Sequence, residues 1–458
     1  MTPAVDAATS GALRVPEEIG GCPVVALSKW CFLKCPNITS VEVPDGVHSI
    51  GYLCFGYCTA LESVRLPAGL TATPDSLFKG CTALKSGEVP QSVTSFGRDC
   101  FWGCTSLTNA VIPRTLTVLP AMTFYKCESL AEIELPPNLT ELGVNSLGSC
   151  SSLKSITIPD SVTVLRQSAF SWCTSLQEID LPDSVSVIES GAFEKCESLT
   201  EFKFPLALTR VERIFGRCTG LTSMTVPRGV VSVAEGAFCD CPGVERFEVE
   251  EGNEVFRTLD RVLCEGDKLI AWPKNKRPYV IPDGIREIGG YVFQNNLDVS
   301  SLVIPEGVEG IGPYMAFHTS LTSIKLPSTL RRIEDCAFRW CYLSSVEIPA
   351  ATEYIGRGAF SICDSLRSVT IRHPNVTIGD TVFDGDSSLS KFVLADKAVS
   401  VGTDAFRGCS RLRIPTGATS LPVDLNGRRE GCPETVAEWR FEKSPGEDRW
   451  YSPSDFGL

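Results

Sequence analysis

The stretch Phe170-Ser-Trp-Cys173-Thr-Ser-Leu176-Gln-Glu-Ile-Asp-Leu-Pro182-Asp-Ser-Val-Ser-Val-Ile188 decides the fold. It opens on an aromatic residue, places a cysteine three residues later and an aliphatic residue three beyond that, then alternates apolar and polar residues up to a proline. The period of two from Leu176 to Pro182 marks a short strand with one buried face. The proline has no N–H to give to a ladder and marks the strand's end. Ser184-Val-Ser-Val-Ile188 is a second extended segment, from which small residues lead to the next phenylalanine, Phe193. One unit is therefore strand, turn, second extended segment, tight turn.

The unit recurs along the chain. Cys35, Cys58, Cys81, Cys104, Cys127, Cys150, Cys173 and Cys196 stand 23 residues apart, and Cys218, Cys241, Cys341, Cys363 and Cys409 hold the same place later. Phe-equivalent positions run from Phe32 to Phe238, with Leu147 in one unit, and continue at Phe293, Phe317, Phe338, Phe360, Phe383 and Phe406, making about 16 units. No unit can bury its apolar face alone, so neighbours must stack. At a strand spacing of about 4.8 Å the array is roughly 75 Å long. The expectation is a mainly β solenoid with a parallel sheet along one side, tight turns and short helical turns, its Phe column forming the spine.

The unit Phe-x-x-Cys-x-x-Leu-x-x-Ile-x-Leu-Pro-x-x-Val-x-x-Ile resembles the BspA-like leucine-rich repeats, known from surface proteins of bacteria and parasitic protists, and the match covers about residues 13 to 415. The resemblance implies a leucine-rich-repeat solenoid used for binding. Ile19-Gly-Gly-Cys-Pro-Val-Val-Ala-Leu27 looks like that family's first turn. Between Pro227 and Pro282 the spacing grows to 55 residues. Arg261-Val-Leu-Cys264 and Lys268-Leu-Ile-Ala-Trp-Pro273, joined by Glu265-Gly-Asp267, read as an inserted β-hairpin, similar to the island that interrupts many such arrays. The organisation expected is a disordered N-terminus over 1–12, repeats over 13–248, the hairpin island over 249–278, repeats over 279–415, and an irregular C-terminal cap and tail over 416–458, which holds Trp439, Trp450 and Tyr451.

The chain has 458 residues, 43% of them hydrophobic, enough to bury a large core. Lys+Arg 42 against Asp+Glu 55 leaves a net charge of −13, which repels phosphate backbones and anionic lipid surfaces, so nucleic acid is not an expected partner. No run of about 18 apolar residues occurs, so membrane insertion is not expected. Met1 to Gly20 has neither a basic n-region nor an apolar h-region. A cytoplasmic location follows as the expectation, with the cell surface as the alternative that the resemblance implies.

The 21 cysteines are odd in number and spread over a long chain, unlike a disulfide framework. Cys31/Cys35, Cys54/Cys58 and Cys100/Cys104 have a metal-like spacing. The residue before Phe is usually alanine (Ala169, Ala192, Ala237), so Cys31, Cys54 and Cys100 read instead as small buried side chains. The thirteen column cysteines are expected to be buried and reduced, with no metal and no cofactor. His48, His318 and His373 fall at three different repeat positions, and no Gly-x-Ser-x-Gly, His-Glu-x-x-His, Walker or Rossmann pattern occurs, so no enzyme is expected. Asp380 with Asp384-Gly-Asp386 lacks the closing Glu of a calcium loop and reads as a turn. Three sequons, at Asn37, Asn138 and Asn375, bear only on a secreted chain.

Surface is what remains. The outward strand columns are small, hydroxylated and mildly acidic around Glu132, Glu134, Glu178 and Asp180, without the aromatic anchors of interface hot spots. An edge just after the Phe column carries Tyr57, Trp102, Tyr125, Trp172 and Trp340, the candidate protein-binding residues. Shielding the turns is the competing role for them. The function expected is a non-catalytic protein–protein interaction scaffold, monomeric, with a protein ligand; an adhesin at a cell surface binding extracellular matrix or another cell is the alternative.

Overall fold

The computed structural model describes residues 5–412, apart from residue 7, residue 275, residue 374 and 395–399. The expected cap and tail over 416–458 lie outside the described residues. Within them the chain is a solenoid built from parallel ladders, with no helix.

Two ladders run along the stack. The first uses the strand before each proline: Ser10–Arg14, Asn37–Glu42 and Ser63–Arg65, then Ser86–Glu88 with Asn109–Val111, and near the far end Ser345–Ile348, Ser368–Ile371 and Lys391–Leu394. The second ladder uses the extended segment that follows, and it adds a second sheet to the one expected. Val118–Leu119, Glu141–Leu142, Val164–Leu165 and Val187–Ile188 pair in parallel at a constant offset of 23, with Leu165 opposite Leu142 and Ile188. A one-residue slip would turn Leu142 and Leu165 out of the core, so burial pins the register. From Ala131 to Pro205 of the first ladder only the bridge Thr157↔Asp180 forms, yet burial still alternates there. A three-residue strand ending in proline has few ladder bonds to lose.

Ordered pairing starts earlier than the sequence suggests. Ser10–Arg14 lies beside Asn37–Glu42, so Ser10 to Ala12 belong to a strand rather than to the disordered stretch expected over 1–12. Gly11, at φ +80°, takes up the register shift before Ala12, which lets Leu13 pair opposite Val41.

Aromatic stacking forms the spine. Phe32, Phe55, Phe78, Phe101 and Phe124 are buried, with successive ring centroids 5.2–5.5 Å apart. Flat rings stack near the strand repeat in an offset arrangement that adds about 0.5–1.5 kcal/mol per pair beyond burial. In place of the expected short helical turns, two left-handed residues flank the ring position, as at Ser168 (φ 57°) and Trp172 (φ 62°) around Phe170. The turns also form a ladder: Phe101 N–H donates to the Thr123 carbonyl at 2.9 Å and Gly103 N–H to that of Tyr125 at 2.7 Å.

The cysteine column follows from the same turn. The Phe101 carbonyl accepts the N–H of Cys104 at 3.1 Å and the thiol of Cys127, one unit on, at 3.2 Å. Both lone pairs are thus satisfied where no water reaches. The Cys58, Cys81, Cys150 and Cys196 thiols repeat this bond to Phe32, Phe55, Phe124 and Phe170.

One position departs from the expected register. Phe293 N–H donates to the Met315 carbonyl and Ala316 N–H to that of Ala337, as Phe338 N–H does to that of Ala359. Ala316 therefore holds the ring position, and Phe317 stands one place out. The reason is the period: the offset from Phe293 stays at 23 and then shortens to 22, as Gly310↔Arg332 shows.

The island is the expected hairpin plus a third strand. Phe256–Leu259, Val262–Glu265 and Lys268–Ala271 form an antiparallel meander, with Asp260 and Arg261 both left-handed in its first turn. Lys268–Ala271 then pairs in parallel with Glu287–Ile288 and so enters the second ladder. Its two faces serve two cores. Phe256, Leu263 and Ile270 join the core that begins at Val15, whereas Val262, Cys264, Leu269 and Trp272 join the one that continues to Leu412.

Candidate functional site

The turn edge is two columns wide, one and two residues after the ring position. Trp102 and Tyr125 fall in the inner column, half-buried, with ring centroids 6.3 Å apart. Tyr57, Trp172 and Trp340 fall in the outer column, all left-handed at φ 61°, 62° and 61°. The structure therefore brings Trp102 and Tyr125 together. Trp172, 47% exposed, makes no ring contact with another aromatic residue among the described residues.

Two of the rings, Tyr57 and Tyr125, sit against a glycine one unit on. A Cβ at Gly80 would lie 2.5 Å from the Tyr57 ring, and one at Gly148 would lie 3.0 Å from the Tyr125 ring. The sequence carries this signal as an aromatic residue followed 23 positions later by glycine.

Cations cover the rings. Lys79 Nζ sits 4.8 Å from the Trp102 centroid, with Lys126 5.9 Å from Trp102 and 5.7 Å from Tyr125. Lys195 Nζ lies 3.2 Å over Trp172. Such contacts contribute about 0.5–1 kcal/mol at exposed sites. Lys79 also pairs with Asp99 at 3.0 Å, whereas Lys126 and Lys195 have no carboxylate partner among the described residues. Burial and the neighbouring Arg217 hold the Lys195 ammonium below its usual range.

A second aromatic group lies on the same edge, and only Trp340 of it was expected. Tyr291 and Tyr314 stack at 5.1 Å, Tyr314 meets Phe317 at 5.5 Å, and Phe317 and His318 lie 5.3 and 5.7 Å from Trp340. Arg213 covers Tyr291 at 4.0 Å. Tyr291 and Tyr314 stand two residues before the ring position.

The strand face offers carboxylates instead. Glu132, Glu134, Glu178 and Asp180 are exposed. At the neighbouring second ladder, Arg166 spans three units, donating to Glu141 and Glu189 at 2.9 Å each. The column thiols are poor ligands and nucleophiles, since burial pushes Cys58 and Cys173 up to about 12. Among the described residues no group of three or more His, Cys, Asp or Glu is placed to hold a metal ion, and no helix is long and apolar enough to cross a membrane.

Strand-and-turn units stacked on either side of a hairpin island define a leucine-rich-repeat solenoid. A family model for the BspA type leucine rich repeat region matches in six copies over residues 25–154, 145–259 and 286–413. The chain belongs to that family. No curated protein matches it. Among solved structures, a leucine-rich repeat protein from Bacteroides ovatus is 22% identical over 88% of each chain with a TM-score of 0.52, which shows the shared fold. A leucine rich cell surface protein from Faecalibacterium prausnitzii is 21% identical over 84% of this chain and 88% of its own, with a TM-score of 0.40. A leucine-rich repeat protein from Eubacterium ventriosum is 20% identical over 63% of this chain and 78% of its own, with a TM-score of 0.46.

Proposed function

We propose that the chain is a non-catalytic scaffold that holds a protein ligand along its turn edge, with Tyr57, Trp102, Tyr125, Trp172 and Trp340 as anchors. Trp172 carries this reading. A bulky residue in the left-handed region costs of order 1 kcal/mol or more, and the fold imposes that conformation at the equivalent Lys126, Lys195, Arg217 and Ile362 as well as at Gly80 and Gly103. Nearly half of the Trp172 side chain faces solvent, so the core does not repay that strain. A large aromatic ring left facing solvent at such a turn supports recognition, and aromatic anchors typically contribute about 2 kcal/mol or more each at interfaces.

The conformation supplies a clean test. Glycine adopts φ near +60° freely, so Tyr57→Gly, Trp172→Gly and Trp340→Gly together are expected to keep the melting temperature while weakening partner capture at least tenfold. A photo-crosslinking residue at Ser149 on the edge is expected to label the same partner, and one at Ser155 on the strand face is not. Capture undiminished in the triple variant, with labelling from Ser155, would transfer the binding role to the acidic strand face. Fractionation of the native cell decides between a scaffold inside the cell and an adhesin on its surface.

A further inference from the structure

The column just before each ring position is filled by small or aliphatic residues such as Leu77, Ala169 and Ala192, but its first two members are Cys31 and Cys54. They sit in successive turns, tied by the bond from Phe32 N–H to the Cys54 carbonyl at 2.8 Å, and their thiols are close enough for each to shift the other's titration. Cys54 is fully buried. Cys31 is partly exposed at the end of the stack, where Val5 N–H donates to its carbonyl at 3.1 Å. Cys100, also in this column, has Leu77 and Thr123 as neighbours and therefore no thiol beside it in the column. The ring-turn cysteines differ, because nearly all of their thiols donate to a carbonyl and burial pushes them up. Cys31 shifts the other way, its thiolate favoured by the neighbouring Cys54 thiol.

We propose that Cys31 and Cys54 are a redox modification site, forming a reversible disulfide that staples the first turn to the second. Equivalent residues one strand spacing apart, about 4.8 Å, fall within the Cα separation of about 4.4–6.8 Å that a disulfide needs. The oxidant class is a small disulfide. The Cys31 thiolate attacks one sulfur of oxidised glutathione, forming a mixed disulfide and releasing one glutathione thiolate, which takes up the proton that Cys31 lost. Cys54 then gives up its proton and attacks the Cys31 sulfur; the mixed disulfide breaks, and a second glutathione leaves with that proton. The protein dithiol is oxidised by two electrons and the glutathione disulfide is reduced by two. Cys31 is the attacking thiol because it is exposed and its thiolate is favoured, and Cys54 is the resolving thiol beneath it.

The test treats the full-length folded protein with oxidised glutathione, alkylates the remaining thiols and maps the peptides by mass. The expected product joins Cys31 to Cys54, disappears with dithiothreitol, and slows amide exchange in the first two turns severalfold. Cys54→Ala is expected to hold Cys31 as the mixed disulfide, and Cys31→Ser to leave Cys54 as a free thiol. Because Cys31 is partly exposed and Ser is nearly isosteric with it, Cys31→Ser is expected to melt close to the parent, and it decides alone if Cys54→Ala misfolds. Recovery of both cysteines as free thiols, a wild-type product that stops at the mixed disulfide, or a bond from Cys31 to Cys22 or Cys35 would overturn the assignment.

Discussion

Phe170 and Asp386 show how much one residue of a stacked column carries. Phe170 is fully buried, its centroid 5.5 Å from that of Phe193 at an interplanar angle of 3°. Phe170→Ala is expected to cost about 3–5 kcal/mol in denaturant unfolding, from lost transfer energy and the cavity left in the spine; a loss under about 1 kcal/mol would refute the register. Asp386 occupies a cysteine position. Its Oδ1 accepts the Cys363 N–H at 2.7 Å, its Oδ2 has no partner among the described residues, and burial pushes its carboxyl up to about 9. An unfolded aspartate titrates near about 3.9. The folded chain therefore keeps a proton that the unfolded chain has released, and stability declines as pH rises from about 4 to about 9, then levels off. Asp386→Asn holds a neutral group there at every pH and is expected to flatten that decline in melting temperature; an unaltered slope would place the carboxyl's titration elsewhere. The cysteine column was legible because its spacing never varied over eight units. Ala316 was not, since an adjacent phenylalanine outweighed a period that lands on alanine.

At the scale of elements, the strand before each proline announced itself by alternation, and the hairpin by Glu265-Gly-Asp267 between apolar runs. The second ladder was visible only as extended segments, because two-residue strands such as Val164–Leu165 have no pattern of their own and exist through partners 23 residues away. The island's role as a double-faced partition was hidden for the same reason. Leu263 and Leu269 both read as core, yet they face different cores. Each substitution to alanine is expected to cost about 2–5 kcal/mol. Leu263→Ala should speed amide exchange first in the turns before the island, and Leu269→Ala first in those after it. Identical exchange patterns for the two variants would mean that the island belongs to one cooperative core.

The whole molecule is a sum of units and of the interfaces between them. Deleting 128–150 removes one full period and joins Cys127 to Ser151, which keeps every column in register. The shortened protein is expected to fold and to lose about 4.8 Å of length in small-angle scattering, one strand spacing. Deleting 128–138 breaks the register, and that variant is expected to be insoluble or to lose its cooperative melt. Equal behaviour of the two deletions would contradict a stack held by in-register columns. The edge was half legible at this scale: Tyr57, Trp102, Tyr125, Trp172 and Trp340 were all located on it, but the Tyr291–Tyr314–Phe317–His318 group was not recognised as joining Trp340.

The sequence by itself determined the period, the spine and the buried columns. An inward position is set by local alternation and by the volume a 23-residue unit leaves inside, and both can be read within one unit. Tertiary structure alone decided what meets across units: Tyr57 over Gly80, Lys195 on Trp172, Arg166 between Glu141 and Glu189, Cys31 against Cys54, and the island between two cores. Those contacts depend on left-handed turns and side-chain directions in neighbours a full period away, and no residue's own surroundings in the chain specify them.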